Sequence, residues 1–545
     1  MEIKFPDTRE NTIITQKVEF FIRIFVLAAG LFLLSRNLDS QFVGWHEDNN
    51  CFFSYFARNH IRYGLGYTKM FCTWGDTMLP PAEPHRYLNH PPLLSVWAAI
   101  PMLIFGDHEW VARSVPIAMT LGGAWILMVI VSRLQSPLFG VLTGLFYVTF
   151  PITAYFGRML CHESPAQFFS LLMLHGYLQW SGLYGESYSR KAGAAYYLAA
   201  VTLGIGTGWA AVIMAGLIWL WHVCRFFGRG LQSRLFLWLT LTPSISLIAV
   251  LTHIAWGSDW RIDWLGSLFL SRTAGPEGSV SWAEWFSRNW LWLKFNFTVL
   301  PVIAGIICLI SVPVILYYVK KNAVFRGIAL NRASIAPILL LALQGLIWVF
   351  MFKRQSGIHD YWQYFIAPFF AAAMGALVIG TYTLFYKYNA SIAFWAAFFL
   401  VVLPMPLFAG GIDGNYEYEP EPHTDLRGMV STFARLAQLL GPGIPAMTSI
   451  DYRESELFGH YAYRWTSPQA AYYAKRPLIY TIDINEIEAN RQNCAAYILR
   501  ATNDPNMYQL AQKLGEKGRL AAVERGYMIF LLNPRPQTNE QMLSK

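Results

Sequence analysis

Long apolar runs recur along the chain from Phe20 to Phe408, separated by short polar or basic stretches, and from residue 411 the sequence turns polar. As a helix, about 18 apolar residues or more cross the roughly 30 Å hydrocarbon core of a bilayer. The pattern predicts eleven spans, near residues 20–36, 110–133, 138–156, 165–184, 192–206, 208–226, 235–256, 297–319, 334–352, 361–385 and 391–409. The fifth is short, and "GIGTGW" (Gly204–Trp209) makes a tight turn into the sixth.

Placing the N-terminus in the cytoplasm puts Arg133, Arg190, Lys191, Arg225, Arg229, Arg234, Lys320, Lys321, Arg326, Arg332 and Lys387 in loops on that side. Short loops with this bias follow the positive-inside rule. The opposite face then receives residues 37–109, the turn around Arg158 to Glu163, residues 257–296, the loop 353–360 and the polar C-terminal region. In the first of these, "PPLLSVWAAIPMLIF" (Pro91–Phe105) is too short to span and reads as interfacial or re-entrant. Asn49 to Ile61, with four aromatic residues beside Arg58, reads as a helix at the membrane surface. The loop is therefore expected to be a structured lid.

The expected organisation is a transmembrane domain over residues 1–410, an acidic linker over 411–443 containing "DGNYEYEPEPHTD", and a small α/β domain over 444–545. In the last, "IPAMTSI", "RPLIYTID" and "CAAYILR" read as strands. "SELFGHYAYR", "INEIEANRQN" and "PNMYQLAQKLGEKG" read as helices, and "RLAAVERGYMIFLLN" as a hairpin. It has no Gly-rich phosphate loop, and a scaffold or acceptor-docking role suits it.

Composition agrees with a membrane protein: 55% of residues are hydrophobic and only 14% charged, against roughly 25% charged in soluble domains. Phe20 to Leu34 follows three basic residues as a secretion signal does, but it carries Arg23 and no small-x-small site follows. It reads as a retained span. The net charge of +9 sits in short loops, where topology explains it, so nucleic acid is not an expected partner. The six cysteines form no CxxC pair. Cys51 and Cys72 share one loop and are either a disulfide or two free thiols.

Four polar clusters fall on the same predicted face. "GWHEDNNCFF" holds His46, Glu47 and Asp48; "YLNHPPLL" holds His90 before two prolines, which keep its backbone extended. "YFGRMLCHESP" holds Arg158, His162 and Glu163, where the arginine either grips phosphate or pairs with Glu163. "FKRQSGIHDYWQYFIAP" holds Lys353, Arg354, His359 and Asp360, a cationic loop suited to lipid phosphate. Individually, each reads as readily as a solvated carboxylate, a turn histidine, a structural ion pair or a headgroup contact.

The acidic pair after the first span, "FARNHIRYGLGY", "HPPLLSVW", "FGDHEWVARSVPIAM" and "YFGRMLCHES", in that order, resemble the N-terminal half of the family 39 membrane glycosyltransferases. These include the dolichyl-phosphate-mannose protein mannosyltransferases and the bacterial lipid A aminoarabinose transferase. The resemblance covers residues 20–225 well. The chain departs from the family in having His46-Glu47-Asp48-Asn49 where members begin Asp-Glu, Glu163 where they carry Asp, and His90 where the aminoarabinose enzyme has a lysine facing the donor phosphate. Asn89 stands at one ligand-like place of that enzyme's metal site.

The resemblance implies the C-type membrane glycosyltransferase fold: a polytopic helical protein with a small C-terminal α/β domain, in a bacterial cytoplasmic membrane with that domain outside. It also implies a sugar carried on polyprenyl phosphate and transferred, with inversion, to a hydroxyl of a glycan, lipid or protein. A carboxylate must take the acceptor's proton, assigned to Asp48 or Glu47. Fixed cations stabilise the leaving phosphate, for which His90, Arg158, Lys353, Arg354 and His359 are candidates. Glu163 orients the acceptor or a cation, with His46, Arg58, His162 and Asp360 in support. No cofactor is required on this reading; a dication is the alternative, although His46, His60, His85 and His162 match no zinc spacing. The competing classes are a lipid or glycan transporter, which would place charges in mid-membrane, and a non-catalytic assembly protein.

Overall fold

The computed structural model of the chain describes residues 9–75, 80, 82, 84–185, 188–226, 233–273, 280–321, 332–417, 426–440, 444–450, 468–501 and 504–532. Its helices begin with α1 (Arg9–Leu34), α2 (Asp48–Thr68), α3 (Leu93–Phe105), α4 (Glu109–Leu134), α5 (Pro137–Thr149), α6 (Pro151–Phe156) and α7 (Glu163–Trp180). There follow α8 (Arg190–Thr207), α9 (Ala210–Arg225), α10 (Arg234–Gly257), α11 (Asp263–Thr273), α12 (Trp282–Phe297) and α13 (Val299–Lys321). Then come α14 (Arg332–Met351), α15 (Lys353–Ser356), a 3-10 segment (Asp360–Ile366), α16 (Ala367–Tyr386), α17 (Ala390–Val402) and α18 (Pro404–Glu417). By its contacts the chain divides into two units: residues 1–38 with 113–416, and residues 39–112 with 417–545. The long loop after the first helix thus groups with the C-terminal region.

In the first unit every stretch expected to span is met by a helix, but among the described residues length and apolarity alone qualify four. These are α4, α10, the run Asp360–Tyr386 and the run Ala390–Gly414, with a fifth if α12 and α13, bent by 110°, are one span. The expected count of eleven is not reproduced by this criterion, and residues 138–156 show one reason. Phe150 precedes Pro151 and takes ψ 137°, so α5 stops there and α6 restarts with proline in its first turn. Ser136, Ser189 and Ser233 cap α5, α8 and α10 by accepting from the backbone N–H groups of Phe139, Ala192 and Phe236, each worth about 1 kcal/mol. The helices α7 and α8 meet backbone to backbone. A Cβ at Gly176 would lie 2.5 Å from Tyr197 N, and one at Gly193 2.5 Å from Trp180 N, the close approach that small residues allow between membrane helices.

In the second unit α2 packs on α3 and buries Phe53, Tyr55, Phe56, Arg58, Asn59 and His60. It breaks at Gly64 (φ 81°, ψ 153°), a backbone state that glycine takes without a Cβ penalty. A two-residue ribbon follows, β1 (Cys72–Thr73) against β2 (Arg86–Tyr87). The helix α3 leaves Ile100, Leu103, Ile104 and Phe105 exposed.

The C-terminal elements are α19 (Leu426–Leu440), β3 (Ala446–Thr448), α20 (Pro468–Ala474), β4 (Leu478–Tyr480), α21 (Ile484–Asn490), β5 (Ala496–Arg500), α22 (Pro505–Lys517), β6 (Arg519–Glu524) and β7 (Tyr527–Leu531). The strands form one mixed sheet, β4-β3-β5-β7-β6. Its pairs from β4 to β5 are parallel and the others antiparallel. One core gathers Met447, Tyr497, Leu499 and Phe530 with Ile487 of α21 and Leu510 and Leu514 of α22. The helix α19 lies within the stretch expected as linker. Leu426, Met429, Val430, Phe433 and Leu436, at helical spacing, make the face it buries, and it packs against α20, β6 and β7. The expected helix "SELFGHYAYR" lies outside the described residues.

Candidate active site

The acidic pair divides at the start of α2. Glu47 is the N-cap residue but makes no side-chain capping bond; it is 1% exposed, and its Oε2 accepts from Asn50 Nδ2 at 2.6 Å. Asp48 is the first helical residue and is exposed. Preceding them, His46 sits in the left-handed region (φ 57°) with its ring 4.4 Å from that of Trp45. One turn into α2, Phe52 lies edge-on to Tyr87 at 5.2 Å, and Tyr87 lies 5.8 Å from His90. This chain of rings brings His90 to the first turn of α2.

Arg58 and His60, further along, are engaged by groups of their own unit. Arg58 Nη1 donates to Tyr472 O at 2.9 Å and to Asp107 Oδ2 at 3.1 Å, Nη2 donates to Ala471 O at 3.3 Å, and the rings of Tyr55 and Tyr472 lie 5.2 Å away. It ties α2 to α20. The hydroxyl of Thr68 donates to Gly64 O, so His60 Nδ1–H is the donor to Thr68 Oγ1 at 2.8 Å. Nε2 then accepts from Ser95 Oγ at 2.8 Å, which takes the thiol hydrogen of Cys72 at 3.5 Å. Burial pushes the His60 pKa down to about 4 and the Cys72 thiol up to about 12. Cys51 and Cys72 are both buried, and they do not form a disulfide.

In the first unit, Arg158, His162 and Glu163 share the turn into α7. Arg158, 3% exposed, donates to the carbonyls of Arg36 and Asn37 just beyond α1. Arg113, fully buried, joins it with a bond to Leu38 O at 2.7 Å. Two guanidiniums thus satisfy carbonyls after the end of α1. His162 Nδ1 donates to Thr207 O at 2.6 Å, and burial lowers its pKa to about 4, against the smaller opposing effect of that bond. Glu163 opens α7, 5% exposed. Burial, and then the Glu163 carboxylate to which it is hydrogen-bonded, hold the Cys161 thiol well above its usual range.

The cationic loop adjoins this turn. Phe156 packs on Tyr361 at 5.6 Å and Tyr361 on His359 at 5.1 Å; Tyr364 pairs with Thr120 at 3.2 Å and Tyr147 at 3.4 Å. Lys353 Nζ lies over the Trp282 ring at 4.3 Å, and Arg354 donates to Ser271 O at 3.4 Å. Asp360 is 2% exposed; its Oδ1 accepts from Tyr361 N at 2.9 Å and its carbonyl from Asn296 at 3.1 Å. Beneath lies a buried polar network that the sequence reading missed: Gln363 donates to Asn289 Oδ1 at 3.2 Å, Asn289 to Ser356 O at 3.3 Å, and Trp285 Nε1 to Ser356 Oγ at 2.9 Å. Its signal was present as Asn289 and Asn296 within an aromatic stretch, where polar residues are costly unless partnered.

Each unit therefore assembles two of the four clusters. Among the described residues, no group of three His, Cys, Asp or Glu side chains is gathered to hold a metal ion. Both nitrogens of His60 are engaged by hydroxyls.

No protein-family model matches the chain, and no characterised protein matches it in sequence. In three dimensions it superposes on the crystal structure of ArnT from Cupriavidus metallidurans bound to undecaprenyl phosphate, with a TM-score of 0.60 at 14% identity, over 94% of this chain and 98% of that one. The fold is that of the C-type membrane glycosyltransferases. ArnT in the apo state gives a TM-score of 0.58, again at 14% identity, over 94% of this chain and 97% of that one. The oligosaccharyltransferase AglB from Archaeoglobus fulgidus, in complex with an inhibitory peptide and a dolichol-phosphate, gives 0.50 at 12% identity, over 94% of this chain and 74% of that one. The ArnT-like fold thus extends through both units, well beyond the N-terminal half that carries the sequence motifs.

Proposed function

We propose that this chain transfers a sugar from a polyprenyl-phosphate donor to a hydroxyl of a glycan, lipid or protein, with inversion, at the outer face of a bacterial cytoplasmic membrane. The observation that carries this reading is the fold, shared over 94% of the chain with an enzyme whose structure holds undecaprenyl phosphate.

Asp48 is the better candidate for the base, because an incoming acceptor must reach the carboxylate and this one is exposed. It takes the acceptor's proton as the new bond forms at the anomeric carbon and the bond to the phosphate oxygen breaks. The buried Glu47 holds Asn50 and shapes the turn that presents Asp48. The electron pair of the broken bond leaves on the polyprenyl phosphate, where Lys353, Arg354, His359 and His90 offer compensating charge or hydrogen bonds. Arg158 and His162 hold backbone carbonyls, which suits them to positioning Glu163, and Glu163 in turn to orienting the acceptor. On this reading no cofactor is needed, and a chelator should leave the rate unchanged.

The test uses the full chain in proteoliposomes with a polyprenyl-phosphate-linked sugar. Loss of donor, stoichiometric release of polyprenyl phosphate and an inverted anomer in the product are expected. Retention of configuration, or movement of the intact donor across the bilayer with no product, would replace this reading with another.

A further inference from the structure

The helix α12 has three kinds of surface. Trp285, Asn289 and Asn296 are buried and bonded to the 356–363 segment: Trp285 to Ser356, Asn289 to Ser356 and Gln363, and Asn296 to Asp360 and Gln363. Beside that face, at every fourth position, Trp282, Phe286 and Trp290 remain 53%, 54% and 44% exposed. The charged residues Glu284 and Arg288 are exposed elsewhere on the helix, and Lys294, the next position of the aromatic row, is exposed with its Nζ 6.0 Å from the Trp290 ring. Exposed tryptophan and phenylalanine in such numbers are costly in water and favoured at a bilayer interface.

The setting selects the occupant. At Thr298, whose φ is 64°, the chain turns by 110° from α12 into α13, a helix with the apolar sequence "VLPVIAGIICLISVPVILYYV". A helix at that angle to a span runs close to the membrane plane, with one end pinned where the span emerges. The Lys353 ammonium over the Trp282 ring is the arrangement of a cation at headgroup level above a ring set deeper.

We propose that α12 is an interfacial anchor, with Trp282, Phe286 and Trp290 seated at the boundary of headgroups and acyl chains. Through Trp285, Asn289 and Asn296 it fixes the depth of the cationic loop 353–360. The consequence for donor phosphate rests on the glycosyltransferase reading; the depth itself is measured without turnover, so the two fail separately.

The experiment is nitroxide labelling of the full chain in liposomes of zwitterionic and anionic lipid, with the exposed Cys224 and half-buried Cys308 replaced by Ser. Labels at Phe286→Cys and Trp290→Cys should lie about 5–10 Å below the phosphates and be shielded from a water-soluble relaxant that reaches Ser287→Cys. Equal access at 286, 287 and 290 would overturn the anchor. A label at Ile358→Cys should become several-fold more accessible to the water-soluble relaxant in Trp282→Ser/Phe286→Ser/Trp290→Ser. Asn289→Leu, which keeps the aromatic face, should free the 358 label while leaving the depth at 286 unchanged. A 358 label indifferent to both changes would overturn the coupling.

Discussion

Arg58 offers a test of whether a candidate site residue acts through chemistry or through folding. Replacing it with Met keeps most of the side-chain volume between Tyr55 and Tyr472 but removes the donors to Tyr472 O, Ala471 O and Asp107. The Arg58 and Asp107 side chains are only 10% and 20% exposed. Stranding one partner of a buried pair costs about 3–5 kcal/mol, whereas an exposed pair is worth about 1 kcal/mol or less. Asp107 keeps the Tyr472 hydroxyl at 3.0 Å and the half-exposed Lys475 at 3.7 Å, so the lower end, about 3 kcal/mol, is expected. At 1.36 kcal/mol per decade that is an increase of about 100-fold in the population of opened molecules. Cys51 and Cys72, buried thiols of the same unit, report it directly: their maleimide labelling rate, resolved by peptide mapping, should rise about 100-fold in Arg58→Met. In Arg58→Met/Asp107→Leu it should rise less than the two single effects combined, because no carboxylate is then stranded. Labelling within a few-fold of wild type, together with loss of transfer, would refute this reasoning and return Arg58 to the acceptor site.

Asp48→Asn should lower turnover by about 10²–10⁴-fold without changing that labelling. Glu47→Gln, whose amide oxygen still accepts from Asn50, should cost tenfold or less; the reverse order in transfer assays would make Glu47 the base. His60 and His162, with folded pKa values near 4, bind protons more readily when unfolded, where the value is near 6.5. Stability is therefore full above pH 6.5 and falls as pH drops toward 4, by up to about 1.4 kcal/mol per pH unit for each histidine. In Cys51 and Cys72 labelling between pH 4.5 and 7, divided at each pH by the rate of the unfolded chain to remove the thiolate's own pH dependence, His60→Gln should flatten the dependence, and an unchanged slope would rule out His60 as its source. Arg113→Met, which strands Leu38 O, should cost about 1–3 kcal/mol and raise protease cleavage after α1; unaltered cleavage would contradict the clamp.

The sequence by itself determined the helices over the eleven apolar stretches of the first unit, because apolar runs are local properties, but not α11 and α12, which fall in a region it read only as facing outward. It also determined the chemistry on offer, since acids, histidines and cations beside apolar runs are conspicuous. The break at Phe150–Pro151 was as local, but a hydropathy window averages across it. Only the tertiary structure decided which residues are available. The adjacent Glu47 and Asp48 differ in burial because one faces Asn50 and the other solvent. Arg158 and Arg58 are both occupied by carbonyls far away in sequence, or by a distant carboxylate. Grouping residues 39–112 with the C-terminal region likewise rests on contacts such as those of Arg58 with Ala471 and Tyr472, more than 400 residues apart. No periodicity records such a pairing, because its cause is the desolvation of groups that meet only once the chain has folded.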